Sequence, residues 1–177
     1  SEVEALLGAE VFVVHRIDRE ASGLVIFAKD AAAHRALSLG FEKREVHQTY
    51  LALAQGRLEQ DGKIDGALRE FGSGRTAVDP RGKESLTRYA VLKALPQATL
   101  LEVFPVTGRR HQIRVHLFSI GHPILGDSLY GKDRPVGGAP RLMLHALEVS
   151  LEVPGSGSLK LRAEPPADFR EYLESLG

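Results

Sequence analysis

The sequence predicts an α+β fold: a mixed, mainly antiparallel β-sheet with flanking helices. First, the β-rich runs of the second half occur as directly joined pairs, 86–94 with 98–106 and 142–153 with 158–162. Second, the helical stretches are interspersed irregularly, which is typical of α+β proteins rather than of a βαβ series. Third, no repeat of about 20–50 residues is visible and 177 residues suit one domain. We therefore expect a single domain over 1–177.

The amino-terminal region predicts a helix and two strands. Ser1 and Glu4 have the spacing of a capping box, so a short helix is expected to open the chain and end near Gly8. The runs 11–17 and 24–29 are rich in β-forming residues, which predicts two strands separated by a polar turn.

The next segments predict a helix, a strand and a loop or irregular hairpin. Asp30 can cap an Ala-rich helix over roughly 31–43. Residues 48–55 read as a strand that ends at Gly56. Residues 57–84 are rich in Gly, Asp and Arg with weak periodicity, which predicts a loop or an irregular hairpin.

Two helices are predicted in the second half. The first covers 110–120 and stops at Gly121. Its expected apolar stripe consists of Ile113, Leu117 and Ile120. Loops are expected over 121–140, and a Gly/Ser turn at 154–157 joins the last two strands. Pro165-Pro166 introduces a final helix that ends at Gly177.

Composition excludes several kinds of chemistry. Cysteine is absent, which excludes disulfides, thiol nucleophiles and thiolate metal sites. The sequence contains no run of about 18 apolar residues that would predict a membrane-spanning helix. No leader marks secretion, so we expect a cytoplasmic protein. The 23 basic and 23 acidic residues cancel, so the net charge identifies no partner.

The basic residues are unevenly distributed. Residues 107–134 hold five basic and two acidic side chains, whereas 148–177 hold three basic and six acidic ones. A positive face on a neutral chain attracts polyanions such as nucleic acids. Chance clustering on a solvated surface is the alternative.

The polar turn after the first predicted strand is one candidate site. Asp18 has Arg16 two residues before it and Arg19 directly after it. Neighbouring guanidinium groups favour the ionised carboxylate, and an anion at a rigid strand end can act as a nucleophile or a base. The alternative is a surface ion pair or an Asx-turn.

The predicted helix 110–120 is a second candidate. Arg110 and Arg114 lie one turn apart and would project from one face. Such a pair can grip phosphates, or one guanidinium can turn inward to neutralise a buried carboxylate. A solvated basic face is the remaining possibility.

Tyr50 is a third candidate because aromatic residues make up only 6% of the chain. Strand alternation places Tyr50 on one face with Gln48 and Ala52. A single aromatic side chain in a strand belongs to the core, or it is a platform on which a nucleobase stacks.

The histidines raise the question of a metal. The candidates are His111, His116, His122 and His145. His111 and His116 are five residues apart rather than the four that align ligands on a helix, and no HExxH pattern accompanies them. We therefore expect no metal, and structural or phosphate-contacting roles instead. A histidine-metal hydrolase is the alternative.

Four segments form an ordered set of motifs. They are HRIDREASG at 15–23, QTYLAL at 48–53, TGRRHQIRVH to GHPILGDSLYG at 107–131, and LMLHA at 142–146. Together they resemble the RluA family of RNA pseudouridine synthases, and the resemblance covers most of the chain. Departures from the family pattern are Ala21 and Arg110, where Thr is usual, and Gln48, where Lys is common.

The resemblance implies roles for individual residues. Asp18 would be the essential carboxylate, Tyr50 the ring stacked on the target uracil, and Arg114 the partner of Asp18. Arg16 would fill the space that a flipped-out base leaves in the RNA. The other implied substrate-binding residues are Arg19, Arg109 and His111, and the apolar pocket would be lined by Ile113 and Leu144.

The resemblance also implies the pseudouridine synthase catalytic-domain fold and its reaction. Uridine would be isomerised to pseudouridine in structured RNA, with large-subunit ribosomal RNA ahead of tRNA, by a monomer without metal or other cofactor. Asp18 would attack the sugar or the base, or remove a sugar proton. The family's preceding Lys-Pro-x-Gly strand and S4 domain are absent from this sequence, so we expect no S4 domain. The alternative function is a non-catalytic RNA-binding relative.

Overall fold

The computed structural model describes residues 2–131, 138–153 and 157–177. Ser1, Lys132, Arg134 and the turn residues 154–156 lie outside these ranges. The helices within them are α1 (Glu2–Leu7), α2 (Ala31–Glu42), α3 (Gln112–Ser119) and α4 (Ala167–Ser175). The strands are β1 (Phe12–Val13), β2 (Ser22–Gly23), β3 (Phe27–Ala28), β4 (His47–Gln55), β5 (Gly62–Asp65), β6 (Leu68–Glu70), β7 (Thr76–Val78), β8 (Leu86–Ala94), β9 (Ala98–Pro105), β10 (Leu144–Val153) and β11 (Gly157–Arg162).

A seven-stranded sheet organises the fold. Its strands follow the order β11-β10-β4-β9-β8-β5, and all neighbours in this series are antiparallel. The short strand β2 is added parallel to β10. The predicted mixed, mainly antiparallel α+β fold is therefore confirmed.

Most predicted elements lie close to their expected bounds. In α2, Asp30 caps the helix as predicted, since its Oδ1 accepts the N–H of Ala33 at 2.8 Å. Strands β4, β8, β9, β10 and β11 and helix α4 also match. These segments have strong local patterns, and tertiary contacts reinforce rather than oppose them.

The prediction of two long strands at 11–17 and 24–29 is wrong. Only the two-residue strands β1 and β3 pair there. Beyond them the N–H of Ile26 donates to Nε2 of His15 at 3.0 Å, so a side chain takes the place of a backbone acceptor. The chain thus leaves the strand before it reaches Asp18, which lies in an irregular segment rather than at a strand end.

The connection 57–84 contains more order than its sequence predicts. Strands β6 and β7 form the irregular hairpin, which confirms one of the two alternatives. Strand β5 was not predicted, and it adds to the sheet beside β8. Only Ile64 of its four residues is buried, so the segment shows no alternating pattern in the sequence.

Helix α3 passes through the interior. All its residues from Gln112 to Leu117 are buried, polar ones included. Ile113 and Leu117 pack as predicted, but Ile120 is 39% exposed because the helix has already ended. The same buried cluster contains Leu53, Leu101, Leu117 and Phe169. None of the helices within the described ranges is long and apolar enough to cross a membrane.

Candidate active site

The turn that carries Asp18 is anchored to strand β10. The carbonyl of Asp18 accepts the N–H of Ala21 at 3.0 Å, which closes the turn. Gly23 follows with φ +113°, and a Cβ there would overlap the carbonyl of Ala146. The same carbonyl accepts the N–H of Leu24 at 3.0 Å. Glycine is therefore required for the turn to approach the sheet this closely.

A serine–histidine contact fixes the end of this turn. His145 Nε2 lies 2.8 Å from the carbonyl of Ala163, which can only accept, so Nε2 donates. Nδ1 is then the acceptor for the hydroxyl of Ser22 at 2.8 Å. Burial lowers the pKa of His145 and so favours the neutral ring that this arrangement needs.

Gln112 positions the start of α3. Its Oε1 accepts hydrogen bonds from the hydroxyl of Thr107 at 2.7 Å and the N–H of Arg109 at 3.1 Å. Its Nε2 donates to the Leu86 carbonyl and to Thr87 Oγ1, both at 3.0 Å. A single amide side chain thus holds the loop before the helix against β8.

Arg114 turns inward from α3, as one of the sequence alternatives predicted. Its side chain is 2% exposed, and its Nη1 lies 3.5 Å from Oδ2 of Asp18. A shorter pair joins its Nε to Oδ2 of Asp127 at 2.7 Å, and its Nη2 lies 3.3 Å from Oε2 of Glu20. One buried cation therefore faces three carboxylates.

Arg110 does not lie on the same helix as Arg114. It precedes the helix, its side chain is half exposed, and its nearest carboxylate is Glu70 at 3.9 Å. The one-turn helical spacing predicted for the two arginines is therefore wrong, because the helix begins only at Gln112.

Tyr50 belongs both to the buried cluster and to the lining of the cleft. It is 8% exposed on β4 and lies on one face with Gln48, whose Nε2 donates to its hydroxyl at 3.3 Å. Burial raises the pKa of the phenol strongly, and the negative charge of Asp18 adds to this shift. The core alternative for Tyr50 is thus confirmed, and the same side chain also lines the cleft.

A cleft of about 890 Å³ brings the predicted residues together. Its lining includes all nine: Arg16, Asp18, Arg19, Tyr50, Arg109, His111, Ile113, Arg114 and Leu144. Ile113 and Leu144 are buried, whereas Arg16 and Arg19 are exposed. Five arginines and three carboxylates line the cleft in total, so it carries the positive excess that suits a polyanion.

The candidate histidines bond to separate partners. His111 contacts the hydroxyl of Tyr130 through Nδ1 at 2.9 Å, and His122 contacts the carbonyl of Gln55 at 2.8 Å. His116 bonds to Thr87 and Gly66. No group of three or more metal-ligating side chains is found among residues 2–131, 138–153 and 157–177. The histidine-metal hydrolase therefore has no geometric support.

Sequence reasoning missed two carboxylates in this site. Glu20 lies in the first motif and Asp127 in the third, but neither was singled out. Asp127 follows Gly126, whose φ of +75° brings the backbone against the carbonyl of Arg141. A sharp glycine turn followed by an aspartate is the signal that could have identified a buried acceptor there.

Comparison with known proteins identifies the family to which this fold and this cleft belong. Residues 1–119 match the family model described as RNA pseudouridylate synthase. The chain belongs to that family, which confirms the resemblance seen in its motifs.

Individual relatives agree with the family assignment. The chain is 40% identical over 174 residues to "Ribosomal large subunit pseudouridine synthase D" of Nitrosomonas europaea, covering 93% of this chain and 51% of the relative. It is 41% identical over 171 residues to "Dual-specificity RNA pseudouridine synthase RluA" of Vibrio cholerae, covering 94% and 70%. The chain thus spans about half the length of the first relative.

Solved structures share the fold. "Human RNA Pseudouridylate Synthase Domain Containing 4" superposes with a TM-score of 0.82 at 25% identity, covering 98% of this chain and 79% of that one. "Human RNA Pseudouridylate Synthase Domain Containing 1" gives a TM-score of 0.80 at 29% identity, covering 93% and 73%. The expected pseudouridine synthase fold is therefore confirmed.

Proposed function

We propose that this chain isomerises uridine to pseudouridine in structured RNA, with Asp18 as the essential carboxylate. Large-subunit ribosomal RNA is the preferred substrate class, ahead of tRNA. Family membership and the names of the ribosomal relatives support this choice. The name of the Vibrio cholerae relative describes it as dual-specificity, so a second class of RNA should be tested, and we choose tRNA.

The position of Asp18 is the observation that carries the proposal. Its side chain is 21% exposed at the cleft, so it can reach a substrate, and it faces the buried guanidinium of Arg114. Tyr50 is close enough for the charge of Asp18 to affect its pKa. A carboxylate, a cation and an aromatic ring thus surround a space that a flipped pyrimidine nucleotide can enter.

The remaining cleft residues supply binding rather than chemistry. Ile113 and Leu144 offer apolar walls for the base, and Tyr50 offers a ring for stacking. The exposed guanidinium of Arg16 is placed to occupy the gap that the extruded base leaves in the RNA. Arg19, Arg109 and His111 line the same cleft and would contact the backbone phosphates.

The proposed reaction is balanced without a cofactor. The N1–C1′ bond of uridine breaks, the uracil turns in the cleft, and a C5–C1′ bond forms. C5 loses its proton and N1 gains one, so no electrons are exchanged. Asp18 acts on the sugar or on the base, and each route requires its carboxylate in contact with the reacting nucleotide.

We also propose that residues 1–177 act as one catalytic domain, as a monomer in the cytoplasm. Seven strands, of which the first begins at Ser22 and the last ends at Arg162, join in a single sheet, which supports one cooperative unit. The strands of this sheet supply Tyr50 and Leu144, and α3 beside it supplies Arg114.

Tritium release from RNA labelled at C5 of uridine tests the proposal. We expect the wild-type chain to release tritium from large-subunit ribosomal RNA, and Asp18→Asn to release none. Asp18→Asn keeps the shape of the side chain and should keep RNA affinity within about twofold, because phosphate contacts dominate affinity. Asp168→Asn, a change at an ion pair on α4 away from the cleft, is the matched control and should stay active.

Three outcomes would contradict the proposal in different ways. Activity of Asp18→Asn would remove Asp18 from the chemistry. Salt-dependent RNA binding by the wild-type chain without tritium release would identify the non-catalytic RNA-binding relative instead. Release from tRNA alone would overturn the preference for ribosomal RNA.

A further inference from the structure

Asp127 is the most completely buried carboxylate near the cleft. Its side chain is 0% exposed. It accepts Nε and Nη2 of Arg114 at 2.7 and 2.8 Å. Its Oδ1 also accepts the N–H groups of Leu129 and Tyr130 at 2.9 and 3.0 Å. Four donors therefore fix this carboxylate between α3 and the turn that follows it.

The fork contact determines which edge of the guanidinium faces the cleft. Asp127 occupies the edge formed by Nε and Nη2 of Arg114. The remaining nitrogen, Nη1, is the one that lies 3.5 Å from Asp18. The ring of Tyr130 covers the guanidinium with its centroid 5.3 Å from Cζ, so Arg114 is held by one edge and one face.

The three ion pairs of Arg114 are unequal. The pair with Asp127 is short and dry, whereas Asp18 and Glu20 are more distant and partly exposed. Since the shortest contacts of Arg114 are made to Asp127, Asp18 is oriented by Arg114 without being locked into a tight pair. A carboxylate that must react needs this freedom, because a full ion pair would stabilise its ground state.

Stability alone does not account for this arrangement. Replacing a buried ion pair by apolar side chains is often neutral or stabilising, because two charges must be desolvated. A bidentate pair is also well suited to fixing geometry.

We propose that Asp127 is a positioning residue, which holds Arg114 at the cleft floor and limits how tightly it pairs with Asp18. This inference rests on the proposed function. We expect Asp127 to affect the rate of the chemical step but not RNA binding, since no atom of Asp127 reaches the cleft surface.

Single-turnover conversion of ribosomal RNA by excess Asp127→Asn tests the inference. The amide keeps an oxygen for the two backbone N–H groups, and Arg114 keeps two other carboxylates, so the variant should fold. We expect the rate constant to fall about tenfold or more, as a misplaced catalytic group does, with RNA affinity within about twofold of the wild type. A merely structural role would lower the converted fraction and leave the rate constant unchanged.

A second variant separates the effect of position from that of charge, and it tests the inference even if Asp127→Asn fails to fold. Asp127→Glu keeps the charge but pushes the guanidinium toward Asp18, so its rate constant should also fall at unchanged RNA affinity. Asp168→Asn, at the forked Arg141–Asp168 pair outside the cleft, should keep the wild-type rate. A wild-type rate constant in either Asp127 variant would overturn the inference. An inactive wild-type chain would instead refute the proposed function.

Discussion

Removal of the Arg114 guanidinium should be unusually destabilising for a charged residue. Arg114→Met keeps the length of the side chain but leaves Asp127 buried, at 0% exposure, without its cation. Breaking a buried pair in this way costs about 3–5 kcal/mol, because the remaining charge is uncompensated. For a chain of this size each kcal/mol lowers Tm by about 2–4 °C, so a decrease of about 6–20 °C is expected.

A double variant identifies the orphaned charge as the cause. Arg114→Met combined with Asp127→Asn leaves only neutral polar atoms buried, which costs about 1–3 kcal/mol. The double variant should therefore be more stable than the single one by about 2 kcal/mol in urea unfolding. A gain in stability on adding the second substitution measures the coupling between the two sites, so the sign of the difference is diagnostic.

The Arg141–Asp168 pair provides the matched control. It has the same fork geometry, with distances of 2.7 and 3.1 Å, but its side chains are 22% and 44% exposed. Arg141→Met should cost about 1 kcal/mol or less, because solvent screens the pair and solvates the remaining carboxylate. An Arg114→Met loss no larger than this control, or a double variant no more stable than Arg114→Met, would refute the reasoning.

Two further predictions concern the anchoring of the fold. In a urea titration, Gly23→Ala should destabilise the fold by about 1–3 kcal/mol, because its methyl group would overlap the β10 backbone and strain the chain at φ +113°. The control Gly72→Ala has open space around it and should change the stability by less than about 1 kcal/mol. Equal losses in the two variants would contradict the overlap. The free energy of unfolding should also fall between pH 7 and 5.5. Burial lowers the pKa of His116 and His145 in the folded chain, so the unfolded chain binds protons in this range that the folded chain does not. A pH-independent free energy of unfolding over this range would show that the two rings are not held neutral.

The sequence predicts the individual cleft residues better than their arrangement. Asp18, Tyr50 and Arg114 stand out because their side chains are chemically distinctive, and the family motifs relate them to one another. Their meeting depends on the pairing of β10 with both β2 and β4, which no local pattern encodes. The strands predicted near Asp18 fail for the same reason, since the His15 side chain accepts a hydrogen bond that strand propensity assigns to the backbone.

Helix α3 shows why charge patterns alone left its environment open. A solvated face was one of the alternatives for this helix, yet the polar side chains of Gln112, Arg114 and His116 are all buried. Each is satisfied by partners from other segments, as His116 is by Thr87 and Gly66. Such partners cannot be inferred from the helix itself. Burial of these three side chains adds little stability compared with apolar packing. It does fix the rotation of the helix about its axis, and in this rotation Arg114 points at Asp18.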